Sequence, residues 1–185
     1  MMRGRPESAL QLRMDFGRPL PESSPAAYPV KAGLFDELGP RDADLGRFVR
    51  RVQEGVSART PAEVAAYFMQ HIYTPWDDFT QEEFYTLMLD TKNRPTHAAM
   101  IYRGTLNAVY IRTAEVFRPA ILHNAASIIM AHNHPSGDVA LSPEDLRTSN
   151  QIAEAGRLLD IELLDSLIIG KDAYVSLKER DLLGV

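Results

Sequence analysis

Apolar positions along the chain follow two periods, and the switch between them outlines the elements. Glu83 to Asp90 (EFYTLMLD) and Thr96 to Arg103 (THAAMIYR) are apolar-rich runs separated by Thr91-Lys92-Asn93-Arg94-Pro95, a pattern that predicts a strand hairpin. Gly104 breaks the second run, and Ala108 to Ile111 reads as a third strand. A short helix over Arg118 to Asn124 leads into a buried strand, Ala126 to His132 (ASIIMAH). Ser142 opens a long helix to about Leu159. Two further strands, Glu162 to Ile169 and Ala173 to Leu177, precede a closing helical turn at Lys178 to Leu183. Strands interleaved with helices predict a layered α/β body.

Upstream the pattern changes. Leu45, Phe48, Val49, Val52 and Val56 fall at helical spacing with Arg47, Arg50 and Arg51 opposite, which predicts an amphipathic helix within residues 42–58. Thr60-Pro61-Ala62-Glu63 has the form of a capping box with proline at the first helical position. It predicts a helix to about Ile72 with Val64, Tyr67, Phe68 and Ile72 facing inward. Residues 1–41 show no apolar periodicity. The first forty hold 6 of the 12 prolines, so this stretch reads as a disordered or loosely docked arm.

Composition narrows the chemistry. The 185 residues include no cysteine, which removes disulfide scaffolds, thiol nucleophiles, thiolate zinc sites and iron–sulfur clusters. That fits a reducing cytoplasm. No apolar run has the length of a spanning helix, and MMRGRPESALQLRMDF has no apolar stretch of a signal peptide, so the expectation is a soluble cytoplasmic protein. Residues 1–58 carry 9 Lys/Arg against 8 Asp/Glu, whereas residues 59–185 carry 11 against 17. An acidic body argues against a broad basic face for nucleic acid.

The chemistry concentrates in Met130-Ala131-His132-Asn133-His134-Pro135-Ser136-Gly137-Asp138 and in Leu141-Ser142-Pro143-Glu144-Asp145. His132 and His134, two apart at the end of a strand, present both imidazoles to one face. Pro135-Ser136-Gly137 then turns the chain. Ser142 is placed as an N-cap with Pro143 at the first helical position, so the Asp145 carboxylate sits at a helix N-terminus. Two imidazoles and one carboxylate suit zinc with an open fourth position. Taken singly, a strand histidine is an ordinary packed group and Ser142 with Asp145 an ordinary capping pair. Capping, however, explains nothing about two histidines on one face beside a Pro-Ser-Gly turn. His71, His97 and His123 read as surface or packing residues, and Trp76 as a cover over the core edge.

His132-x-His134, seven residues, Ser142, two residues and Asp145 match the H-x-H-x7-S-x2-D (JAMM) motif of the MPN/JAB metalloproteases. The strings EVFRPA, HNHPSGD and SPEDL resemble the RadC branch of that family, over about Thr60 to Val185. The resemblance implies a cytidine-deaminase-like α/β sandwich, with a mixed sheet between helices. It implies that His132, His134 and Asp145 bind zinc, that Glu115 is the general base, and that Ser142 holds the water or the oxyanion. The implied reaction is hydrolysis of a peptide or isopeptide bond in a peptide or protein substrate. RadC proteins usually carry Asp-His where this chain has Asp165-Ser166, and the proline-rich arm does not resemble their helix-hairpin-helix-like N-terminus.

Two other classes remain open: a non-catalytic MPN-type protein-binding module, and a DNA-repair accessory favoured by Arg47, Arg50 and Arg51. The acidic body yields a direct expectation about the second. Duplex DNA should bind weakly and the binding should fade at physiological salt, as an anisotropy titration over a salt series will read.

Overall fold

The computed structural model describes residues 49–104 and 111–184. The arm at residues 1–41, the first part of the helix expected within 42–58, and residues 108–110 of the expected third strand lie outside the described residues. Six strands form one sheet: β1 (Val49–Arg51), β2 (Glu82–Leu89), β3 (Pro95–Gly104), β4 (Ser127–Asn133), β5 (Glu162–Ile169) and β6 (Tyr174–Ser176). Their order is β1-β3-β2-β4-β5-β6. Only β4 and β5 pair in parallel, and the long helix α3 (Pro143–Leu158) makes the crossover between them. Helices α1 (Pro61–Tyr67) and α2 (Thr113–Leu122) are the other α-helices among the described residues.

Strand alternation sorts the core into two halves. Tyr85, Leu87 and Leu89 of β2 and Ile129 and Ala131 of β4 pack beneath Val64, Ala65 and Phe68 of the α1 layer. Phe84 and Met88 of β2 and Ile128 and Met130 of β4 face Val116, Phe117 and Ala120 of α2 and Ile152 and Ala153 of α3. The sheet therefore lies between helices, the three-layer sandwich expected from the sequence. β4 is buried along its whole length because it is covered on both faces.

The capping box at Thr60 forms as expected: its hydroxyl accepts from the Glu63 amide at 3.2 Å, and the Glu63 carboxylate accepts from the Thr60 amide at 3.3 Å. The chain continues past Tyr67 as a single π turn over Phe68–Ile72, so the inward face reaches Ile72. The hairpin turn is held by Asp90, whose carboxylate accepts from the Lys92 and Arg94 amides at 2.8 and 3.0 Å.

Two expectations need correction. Within the helix expected over residues 42–58, Val49–Arg51 is a strand. It pairs with Ala99, Ala98 and His97, and the Val52 amide donates to the Thr96 carbonyl at 2.9 Å. The edge of β3 offers unpaired backbone groups, and satisfying them outweighs local helical spacing. The short helix begins at Thr113 rather than Arg118 and runs through Pro119. Burial of Val116, Phe117 and Ala120 against the sheet outweighs the backbone bond that Pro119 cannot donate. The closing turn expected over Lys178 to Leu183 is present, with the Asp181 amide donating to the Lys178 carbonyl at 3.1 Å.

Among the described residues no helix is long and apolar enough to cross a membrane. The α3 end is packed with no room to spare. A Cβ on Gly156 would lie 2.5 Å from the Ile161 carbonyl oxygen and 3.3 Å from the Phe117 ring. Gly156→Ala should therefore destabilise the fold by about 1–3 kcal/mol, although alanine is the better helix former. Urea unfolding of the two proteins will check the sign.

Candidate metal centre

β4 and α3 deliver the three expected ligands to one point. His132 and Met130 share the sheet face that looks toward α2 and α3, and His134 follows two residues on. Ser142 caps α3 and places Asp145 in its first turn. The His132 Nε2 and His134 Nε2 atoms lie 3.2 Å apart, and His132 Nε2 is 3.3 Å from Asp145 Oδ1. All three donor atoms fall within 4.8 Å of one another. An ion held at about 2.0–2.1 Å by four tetrahedral ligands separates neighbouring donors by roughly 3.3 Å, so this donor set fits zinc in both kind and spacing.

Each ligand is oriented by a second contact. His134 Nδ1 donates to the Asp138 carbonyl at 2.7 Å, which assigns the lone pair to Nε2. The buried His132 ring stacks on Phe84, with centroids 6.1 Å apart and planes 11° from parallel. Asp145 divides its two oxygens. Oδ2 accepts from the Ser142 hydroxyl at 2.6 Å and the Ser142 amide at 2.9 Å, while Oδ1 faces His132. Burial alone would raise the Asp145 carboxyl. The hydrogen bond and charge of His132, with the two Ser142 bonds, outweigh burial and hold the group well below the usual carboxylate range. The turn after His134 is seated on Gly170, where a Cβ would meet the Gly137 carbonyl oxygen at 2.5 Å.

Ser142 stands beside the ligands, but its hydroxyl is engaged in the cap, donating to Asp145 and accepting from the Asp145 amide at 3.1 Å. Glu115 is not brought to the cluster. It lies exposed in the first turn of α2, 3.5 Å from Arg112, and lines a groove with Val49, Arg51, His97 and Ile101 over β1 and β3. β2 separates β3 from β4, so two strand spacings of about 4.8 Å intervene between that edge and the histidines. Glu115, expected as the base, therefore stands away from the ligand cluster in this structure.

The carboxylate beside the ligands is Glu82. β2 and β4 are antiparallel neighbours with Phe84 opposite His132, and Glu82 shares the face of Phe84. Burial pushes the Glu82 carboxyl up from its ordinary value, His132 and His134 draw it partly back, and Asp145 raises it again. Its Oε2 atom is buried with no hydrogen-bond partner among the described residues. A polar atom left so costs free energy unless a water, ion or substrate meets it. The only local signal was a glutamate pair heading an apolar strand; the pairing that brings Glu82 to His132 spans 50 positions.

Other side chains settle as packing groups. His97 and His123 stack on each other with centroids 4.1 Å apart, and His71 lies exposed against Tyr67. Trp76 packs edge-on to Tyr73 and also lines, with Phe79, Thr80, Pro135 and Lys171, a groove of about 370 Å³ beside the His134 turn. Ser166 accepts from the Ser149 hydroxyl at 2.9 Å, a buried bond tying β5 to α3. Asp165 accepts from Ser176 and from the Ser166 and Lys178 amides on the opposite face.

This fold is that of a JAB-type domain, and comparison with known proteins agrees. The profile of the RadC-like JAB domain matches residues 58–182. Relatives include proteins called UPF0758 in Chloroflexus aggregans, 45% identical over 75% of this chain and 60% of its own length. In Chloroflexus aurantiacus the figures are 44%, 84% and 63%, and in Roseiflexus castenholzii 48%, 70% and 54%. The chain belongs to the RadC family, and it spans about three fifths of the length of the relatives it matches.

The dual bonding of Ser142 predicts two losses from Ser142→Ala. Removing the cap should cost about 1 kcal/mol in urea unfolding. Freeing Asp145 Oδ2 should weaken zinc binding by about 10- to 100-fold in competition with a chromogenic chelator.

Proposed function

We propose that the chain is a zinc-dependent hydrolase that cleaves a peptide or isopeptide bond in a peptide or protein substrate. The observation that carries this reading is Glu82, a half-buried carboxylate with an unpartnered oxygen, set against a His–His–Asp donor cluster. Three such donors suit a catalytic zinc with one open position rather than a closed structural site. Bound zinc would polarise the scissile carbonyl and lower the pKa of a water to about 7.

The chain's own residues supply the rest. His132, His134 and Asp145 are the ligands. The Glu82 carboxylate accepts a proton from the attacking water and returns it to the departing nitrogen. Its Oε2 atom, buried and without a hydrogen-bond partner among the described residues, is free to take that proton. Ser142 keeps Asp145 turned so that one oxygen remains for the metal. The groove beside Trp76 and Phe79 gives an extended peptide a place to lie against the His134 turn. A metal-free binding module, or a DNA accessory, would leave the convergence of four such side chains unexplained.

The full chain purified with zinc should hold about one ion, and His132→Ala and His134→Ala should lose it while circular dichroism stays unchanged. Glu82→Gln should keep zinc and lower cleavage of peptide and isopeptide substrates by about 10² to 10⁴. Glu115→Gln should change neither. A chain that takes up no zinc, or a Glu82→Gln protein as active as the wild type, refutes the reading.

A further inference from the structure

Asn133 lies between the two histidines and faces the other way. Strand alternation turns it to the α1 side of the sheet, and its side chain is completely buried. Asn133 Oδ1 accepts from the Glu83 amide at 2.7 Å, and Asn133 Nδ2 donates to the Gln81 carbonyl at 3.3 Å. These are the backbone groups on either side of Glu82.

That arrangement replaces a missing piece of sheet. The β2–β4 ladder runs from Leu89 opposite Ser127 to Phe84 opposite His132, and its register goes no further. Glu82 thus lies beyond the last main-chain pair on the β4 side. On its other side it pairs with Gly104 at the end of β3, and a register shift follows between Phe84 and Tyr85. One amide side chain spans the gap, accepting as a backbone carbonyl would and donating as a backbone amide would.

We infer that Asn133 is a positioning residue: it extends the β2–β4 pairing by one side chain and so registers the Glu82 carboxylate against the ligands on the opposite face. This rests on the proposed role of Glu82. The surrounding fold has other anchors. The Glu83 carbonyl accepts from the Tyr73 hydroxyl at 2.9 Å, and the Glu83 carboxylate is bound by Arg103 Nε at 2.6 Å and by the Tyr85 hydroxyl at 3.0 Å. Loss of the Asn133 amide therefore leaves β2 in the sheet and releases its head. The Asn133 side chain faces away from the ligands, and both of its hydrogen bonds go to the backbone flanking Glu82.

The test uses the full chain loaded with cobalt(II), whose visible absorption bands respond to hydrogen bonding at the ion. Glu82→Gln should move the bands. Asn133→Ala, binding the same one ion per chain, should move them in the same direction, and Glu82→Gln with Asn133→Ala should move them no further than Glu82→Gln alone. Asn133→Asp keeps the acceptor for the Glu83 amide and should fall between wild type and Asn133→Ala; it carries the comparison if the alanine variant does not fold. In turnover, Asn133→Ala should lower kcat by about 10- to 100-fold with KM unchanged, and should add nothing in the Glu82→Gln background.

Wild-type bands in a folded Asn133 variant, or a shift that adds in full to that of Glu82→Gln, overturns the inference while leaving the hydrolase reading intact. A Glu82→Gln spectrum identical to wild type, or a chain that takes up no cobalt, removes the role of Glu82 itself and the inference with it.

Discussion

The antiparallel register that sets Phe84 of β2 opposite His132 of β4 is the constraint on which the site depends. It puts the Phe84 ring flat against the His132 imidazole and carries Glu82 to the open end of the same face. A slip of one residue would turn Glu82 to the α1 side and bury Glu83 toward the ligands instead. The slip is resisted from both layers. Phe84 and Met88 are matched to the α2–α3 half of the core, and Tyr85, Leu87 and Leu89 to the α1 half. Glu83 is further committed to its own face by Arg103 and Tyr85. The packing of large apolar side chains thus sets where a single carboxylate stands.

What was legible in the sequence follows how local each signal is. His132 and His134 share a face by strand alternation alone, and Ser142-Pro143-Glu144-Asp145 announces its cap within four positions. The convergence of His132, His134 and Asp145 and the layered α/β class could be read from such short-range patterns. Glu82 could not. Its partnership with His132 comes from pairing between strands 50 positions apart, and Glu115, nearer in sequence and inside a family-like string, took its place. β1 failed for a related reason. Val49 and Val52 keep helical spacing, yet the free edge of β3, some fifty residues away, decides their backbone. At α2 the local stop signal of Pro119 was real, and burial of the face it interrupts outweighed it.

The donor cluster and the start of α3 share the Asp145 carboxylate. Asp145 gives one carboxylate oxygen to the helix cap and leaves the other for the ligands, so the donor array is assembled by folding and does not wait for an ion. Glu82 bears the complementary cost, a buried oxygen unsatisfied until the site is filled.

The sharing of Asp145 also shapes how such a site can change. The two histidines take no part in the α3 cap, so other side chains can take their places without disturbing it. Asp145 has less freedom, because a replacement that removes its carboxylate also removes the acceptor for the Ser142 amide at the start of α3. Even glutamate, the customary third-position partner in a capping box, would bring a longer arm and move the free oxygen off the cluster. A lineage drifting from chemistry toward binding would therefore shed its histidines first and keep the aspartate as a relic of the helix it starts.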